Sequence, residues 1–416
     1  MQSSLAGETG CPVPDSPPLT VETAADAARE YIDRIDDYPD RHDGRGIVIC
    51  AGGIRYLTCA WVLIHMLRRL GCELPIEVWY LGEDEGDADW IELVRPLGVT
   101  CVDAHVVRRQ HPHPRLTGWE SKAFAIQHSR FEEVLFLDAD NVPVVDPTFL
   151  FDDPNYRETG AVFWPDGPHM RPDNAAWQAF DVAYRDEREV ESGQLLIDKR
   201  RCWRSLNLCN WYNEHSDFFY QFIYGDKDTF RFAWHRLGQS FSMPRDMESI
   251  PFTICQHDFQ GRRIFQHRCH DKWLLSHNHR AAGFEHESEC LALIDQLRKC
   301  WDPVRHLTRH LQDDDCRDMD TLVGLRFRYE RIGQVSWPLE LGANGRVSVG
   351  WTPSECYWWC KQQQLVLADQ DGRTYARLDR DEETWAGHAI KQRSQNVRMA
   401  PLASHPTAPE ATQSVA

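Results

Sequence analysis

Two carboxylates stand two residues apart in Phe131-Glu132-Glu133-Val134-Leu135-Phe136-Leu137-Asp138-Ala139-Asp140-Asn141, directly after an apolar run. In an extended segment Asp138 and Asp140 share a face. Two like charges so close repel each other unless a hard cation lies between them. With the diphosphate of a nucleotide-sugar they make the all-oxygen site that Mn2+ or Mg2+ prefers. Asp-x-Asp alone is common in surface turns. The apolar strand before it and Asn141-Val142-Pro143-Val144 after it make this pair a candidate metal site at an exposed strand end.

Other residues with chemical potential lie around it in the sequence. Trp119-Glu120-Ser121-Lys122 opens a helix leading to the Asp-x-Asp strand, so Lys122 is a candidate point charge for donor phosphates; a solvated helix lysine has the same pattern. Glu191-Ser192-Gly193-Gln194 reads as a loop before Leu195-Leu196-Ile197-Asp198. Gly193 there permits close backbone approach to a sugar, which Glu191 or Gln194 would touch. Gly225-Asp226-Lys227-Asp228-Thr229 opens an amphipathic helix, Phe230 to Leu237, where an aspartate is also a good N-cap. That structural role accounts for one of Asp226 and Asp228, less easily for both. Ile49-Cys50-Ala51-Gly52-Gly53-Ile54-Arg55-Tyr56 ends a strand in small residues, which suits a tight turn and close approach to a nucleotide alike.

These residues require a scaffold, and the pattern from Gly46 onward supplies one. Short apolar runs (Gly46 to Cys50, Ile76 to Leu81, Val99 to Ala104, Val134 to Leu137) alternate with helical stretches (Tyr56 to Leu70, Trp90 to Leu97, Trp119 to Gln127). Strand, helix, strand in this order predicts a parallel α/β sheet that binds its ligand at the carboxyl ends of the strands. The texture changes beyond Gly283. An acidic helical stretch, Glu285 to Cys300, is followed from Phe327 by alternating runs with turn pairs Asn344-Gly345 and Asp371-Gly372, an antiparallel meander of about five to seven strands. The expected division is a tail with one helix, Val21 to Ile35 (1–44), a catalytic domain (45–283), a helical connector (284–326), a small β module (327–392) and a disordered tail (393–416).

Composition narrows the function. The net charge of −18 opposes binding to nucleic acid or anionic lipid. No stretch reaches the roughly 18 apolar residues of a membrane span, and the first residues lack a basic start and an apolar core, so a cytoplasmic location is expected. The 14 cysteines are scattered without a Cys-x-x-Cys pair, which predicts buried free thiols. The 16 tryptophans suit sugar stacking and a large core equally.

Glu133-Val134-Leu135-Phe136-Leu137-Asp138-Ala139-Asp140-Asn141, Phe163-Trp164-Pro165-Asp166, Glu191-Ser192-Gly193-Gln194, Gly225-Asp226-Lys227-Asp228-Thr229-Phe230 and Phe265-Gln266-His267-Arg268 together resemble the successive motifs of the fungal Golgi α-mannosyltransferase family. The resemblance spans about residues 45–282. It implies a glycosyltransferase-A fold and retaining transfer of a hexose, most simply mannose from GDP-mannose, to a glycan or small-molecule acceptor. It makes Ala51, Gly52, Gly53, Arg55 and Tyr56 donor-binding and sets Asp226 beside the reacting sugar. It also implies that His267 completes the Mn2+ site with Asp138 and Asp140, ahead of a phosphate-binding Lys272. His257, in Gln256-His257-Asp258, is the competing ligand. Members of the family carry a membrane anchor near the N-terminus, so the acceptor stays open here. The competing readings are a sugar-1-phosphate nucleotidyltransferase, whose opening also contains Ala-Gly-Gly, and a non-catalytic sugar-binding protein.

Overall fold

The computed structural model describes residues 18–276, 278–390 and 395–402. The expected disorder of residues 1–17 and 403–416 lies outside the described residues. The chain divides into two compact units, Met1–Leu297 and Arg298–Ala416.

The first unit is built on a six-stranded sheet in the order β3-β2-β1-β4-β7-β6. Its strands are β1 (Arg45–Cys50), β2 (Ile76–Tyr80), β3 (Val99–Asp103), β4 (Glu133–Leu137), β6 (Ala161–His169) and β7 (Arg188–Asp198). The first three and β4 run parallel, as the alternation predicts. The sheet is nevertheless mixed, because β7 pairs antiparallel with both β4 and β6. Glu191-Ser192-Gly193-Gln194, expected as a loop, is therefore the middle of a strand. Its antiparallel course sets it beside the end of β4, with Gln194 opposite Leu137.

Apolar residues explain why the central strands sit inside. Ile47, Val48 and Ile49 of β1 and Val134 to Leu137 of β4 are fully buried, each such side chain stabilising the fold by roughly 1.5–3 kcal/mol. The helix Gly53–Arg69 follows β1 and begins three residues earlier than the periodicity suggests. Within this unit its Trp61 indole donates to the Leu293 carbonyl at 2.9 Å. The N-terminal helix Val21–Asp33 is capped by Thr20 and buries Ala24 and Ala28, with Tyr31 stacked on Trp211 at 5.5 Å. Residues 18–44 are thus part of the folded unit rather than a tail.

A second, four-stranded sheet has the order β5-β10-β9-β8, from β5 (Asn141–Pro143), β8 (Met247–Ile250), β9 (Thr253–His257) and β10 (Arg263–His267). Three residues separate the end of β4 from β5, so the Asp-x-Asp segment is the corner where the chain leaves one sheet for the other.

The second unit holds the helices Pro303–Thr308 and Asp313–Leu322 and eight strands: β11 (Arg326–Arg331), β12 (Val335–Leu341), β13 (Val347–Val349), β14 (Tyr357–Lys361), β15 (Gln364–Ala368), β16 (Thr374–Asp381), β17 (Thr384–Ala389) and β18 (Asn396–Pro401). This exceeds the five to seven strands expected, and β18 lies within the supposed C-terminal tail. The sheet order runs from β13 to β14, and an antiparallel bridge between Arg346 and Tyr357 joins those two edges, so the sheet closes into a barrel. Its interior is filled by Tyr329, Leu339, Trp358, Leu365, Leu367, Leu378 and Met399. Most of the described cysteines are buried free thiols. Among the described residues no helix is long and apolar enough to cross a membrane.

Candidate active site and metal centre

The corner between the two sheets assembles the site. Asp138 follows β4, and its backbone N–H donates to the Gly193 carbonyl of β7 at 2.8 Å. Asn141 opens β5 and lies opposite His267 on β10. The Arg268 N–H donates to the Asp140 carbonyl at 3.0 Å, fixing the two segments side by side. One ligand atom each from Asp138, Asp140 and His267 falls within 4.8 Å of the others, the one such group of three among the described residues. His267 Nε2 stands 3.3 Å from Asp140 Oδ1 and 3.7 Å from Asp138 Oδ2.

The histidine is aimed by a second carboxylate. Its Nδ1 lies 2.9 Å from Glu191 Oε1. A carboxylate only accepts, so Nδ1 carries a proton, and Nε2 is the nitrogen that faces the corner. That Nε2 is buried and makes no hydrogen bond. Gly193 keeps the space open: a Cβ there would sit 2.4 Å from His267 Nδ1 and 2.8 Å from Glu191 Oε1.

Two lysines border the acids. Lys122 Nζ donates to Asp138 Oδ2 at 2.9 Å and to Ser192 Oγ at 3.2 Å, and lies 3.5 Å from Asp226 Oδ2. Lys272 Nζ donates to Asp140 Oδ2. Lys272 also lies 5.5 Å from the centre of the Tyr56 ring. Burial alone would lower both lysines; the coulombic pull of Asp138 and Asp226 on Lys122, and of Asp140 on Lys272, reverses this and raises them. For His267, burial is likewise outweighed by Glu191 and Asp140, which hold it well above its ordinary range. Such a histidine keeps two protons only while nothing else neutralises the acids; a divalent cation competes for the same lone pair. For Asp140, burial pushes upward, but His267 and Lys272 bring it below the usual carboxylate range. The same balance, with His267 and Gln194 opposing burial, lowers Glu191 to about 2.

Asp226 occupies the N-cap position of the helix Lys227–Arg236, yet its side chain makes no capping bond. It accepts instead from Ser192 Oγ at 3.0 Å, facing Lys122. Burial pushes its carboxyl up to about 6, Lys122 opposing and Asp138 adding to the rise.

The remaining expected residues separate. Asp228 is buried against Arg231, Oδ1 to Nε 2.9 Å, and accepts from the Val190 N–H at 3.3 Å; a charge so enclosed belongs to the packing of its helix. Gln194 is fully buried. Its amide donates to Glu191 and its oxygen accepts from Asn141, so it orients neighbours and has no face toward a sugar. Both Glu191 oxygens are engaged, by Gly193, Gln194 and His267, which makes Glu191 a positioning residue for the histidine. His257 stays outside the acidic group; its carbonyl accepts from the Trp164 indole at 2.9 Å. Ala51, Gly52 and Gly53 form the turn from β1 into its helix, with Gly53 N–H donating to the Glu85 carbonyl at 2.9 Å. Arg55 and Tyr56 follow in the first helical turn. Asp140 is only 2% exposed, so the corner is not an exposed strand end. Ser192 was not singled out in the sequence, although it bridges Lys122 and Asp226; its motif is visible there, its partners are not.

Known proteins share this part of the chain. A family described as "Mannosyltransferase putative" matches residues 44–188 and 180–251. The chain is 27% identical over 283 residues to alpha-1,2-mannosyltransferase MNN5 of Saccharomyces cerevisiae, covering 53% of this chain and 48% of that protein. It is 26% identical to alpha-1,2-mannosyltransferase MNN24 of Candida albicans (58% and 40% covered) and 25% identical to alpha-1,2-mannosyltransferase MNN2 of Saccharomyces cerevisiae (60% and 50%). The chain thus spans about half the length, or less, of these relatives. Among solved structures, an active-site mutant of LgtC matches at 15% identity with a TM-score of 0.41, over 60% of this chain and 95% of that one.

Proposed function

Because the chain belongs to the mannosyltransferase family matched over residues 44–251, we propose that its first unit transfers an α-mannosyl group, with retention, from GDP-mannose to a hydroxyl of a glycan or small acceptor. The observation that carries the reading is the buried, unbonded Nε2 of His267 aimed at Asp138 and Asp140. This donor set, two carboxylates and an imidazole, fits Mn2+ or Mg2+.

A cation held by Asp138, Asp140 and His267 would offset the charge that builds on the departing diphosphate. The chain's own residues supply the rest. Lys122 and Lys272 are positive charges at the border of the acids, suited to phosphate oxygens. Ala51 to Gly53 form the β1 turn at the carboxyl edge of the parallel strands, where a nucleotide binds in sheets of this kind. Glu191 holds His267 in its tautomer. Asp226, pushed up to about 6 by burial, is mostly ionised near neutral pH, and Lys122 at 3.5 Å offsets its charge, so it is suited to accept from a sugar hydroxyl.

A thermal scan with GDP, UDP and their sugars, with and without Mn2+, tests the donor. A ligand at a hundred times its dissociation constant stabilises by about 2.7 kcal/mol, and GDP-mannose with Mn2+ is expected to give the largest shift. A shift with UDP-sugars alone would overturn mannose but keep transfer; no metal-dependent shift with any nucleotide would remove the reading. The anomeric proton signal of the product tests retention, and a β linkage excludes it.

A further inference from the structure

Two large aromatics are exposed beside Asp226. Trp119 is 48% and Tyr224 75% exposed, with ring centres 5.5 Å apart and planes at 45°. Scattered single exposed aromatics are ordinary; a facing pair at the border of a reactive site is a surface with a use.

The pair is built rather than stray. Gly225, the residue between Tyr224 and Asp226, has φ +65°, and a Cβ there would lie 2.6 Å from the six-membered ring of the indole. The backbone therefore rests against Trp119. Tyr220 supports it from a second side at 6.3 Å, its hydroxyl tied to Asn213 Oδ1 at 2.6 Å. The Trp119 carbonyl accepts the Lys122 N–H at 3.2 Å, so the indole is fixed in the turn that also carries the lysine facing Asp226.

We propose that Trp119 and Tyr224 form a stacking shelf for a pyranose ring of the acceptor, next to Asp226. The inference rests on the transferase reading above. A pyranose presents a C–H face to an aromatic plane while its hydroxyls need polar neighbours. The shelf supplies both, because indole N–H and phenol O–H lie at the edges of its apolar faces. An acyl chain is the poorer occupant, since neither member of the pair is aliphatic.

The test measures KM for acceptor and donor separately in Trp119→Ala, Trp119→Phe and Tyr224→Ala, using methyl α-D-mannopyranoside and α-linked mannotriose as acceptors and GDP-mannose as donor. The alanine variants are expected to raise the acceptor KM roughly three- to tenfold, as loss of one aromatic contact implies. Donor KM should stay constant in all three, melting temperature should stay constant in Tyr224→Ala, and Trp119→Phe should retain most of the affinity. Unchanged acceptor KM in both alanine variants overturns the shelf, as does an equal rise for the donor. Binding of octyl mannoside without binding of the methyl glycoside would assign the surface to lipid and overturn it too. If the wild type transfers from no nucleotide-sugar, the transferase reading fails by itself. Saturation-transfer NMR with mannotriose then decides the shelf: signal lost in both alanine variants supports it, and no signal or an unaltered one overturns it. Tyr224 is three-quarters exposed, so its variant keeps the test open if Trp119→Ala does not fold.

Discussion

Glu191 Oε1 accepts from His267 Nδ1 at 2.9 Å, which turns Nε2 toward Asp140 at 3.3 Å. Partners of this kind typically set metal affinity by 10–100-fold. Glu191→Ala is therefore expected to weaken Mn2+ binding by about that factor, measured by calorimetry or by the EPR signal of free Mn2+. An unchanged affinity would refute the positioning role.

Asp140→Asn is expected to abolish metal-dependent transfer. It removes a carboxylate that is 2% exposed and paired with Lys272 and His267, so metal-free stability should also fall, on the order of 2–3 kcal/mol. Melting curves with and without Mn2+, beside an activity assay, read both effects. Normal turnover would remove the central claim about the metal centre.

Gly193→Ala inserts a methyl group where 2.4 Å separates its carbon from His267 Nδ1. Such a distance forces the ring to move, so Mn2+ affinity is expected to drop while the rest of the strand stays paired. A crystal structure of the variant with His267 in place, together with full Mn2+ affinity, would show the argument wrong.

Stability should fall as pH drops from about 6.5 toward 4. Burial, aided by nearby Lys199 and Arg41, lowers His42 to about 4; burial lowers His113 to about 4; and burial, with His111 and Arg41, lowers His128 to about 2. In this window the unfolded chain takes up protons that the folded chain refuses, and the balance shifts to the unfolded state. Buried Glu214, pushed up to about 7, acts oppositely and weakens the fold as pH rises above 4.5. His65, lowered to about 4 by burial, joins these three histidines, and their combined shift outweighs the opposing rise of Glu214 and of Asp226 and Asp228, both pushed up to about 6 by burial. Denaturant midpoints across pH 4 to 7 check it, and His128→Phe should flatten the slope.

Much of this was legible in the sequence because it is local. The apolar run ending in Asp138 announces a strand and an acidic pair, and the alternation before it announces parallel pairing. What escaped is pairing at long range. Nothing near residue 191 says that β7 runs antiparallel to β4, so Gln194 was read as facing a sugar when it faces Glu191 and Asn141. Local preference gives no signal at one turn of the second unit. Gln362 and Gln363 form the two-residue connection between β14 and β15 with φ of 52° and 63°, a conformation for which glycine or asparagine is the usual signal. An N-cap role stood open for Asp226 or Asp228 because aspartate favours that position; Ser192 and Lys122, distant in sequence, engage Asp226 instead.

The pairing of Asn141 with His267 also sets an order of events during synthesis. As the chain emerges amino end first, Asp138 and Asp140 leave the ribosome long before the third ligand, and two adjacent carboxylates alone hold a cation weakly. Metal capture must wait until β10 is made and has crossed to β5. Cation binding as proposed would thus be a late clasp that reports completion of the first unit, and a nascent chain arrested ahead of β10 should not show it.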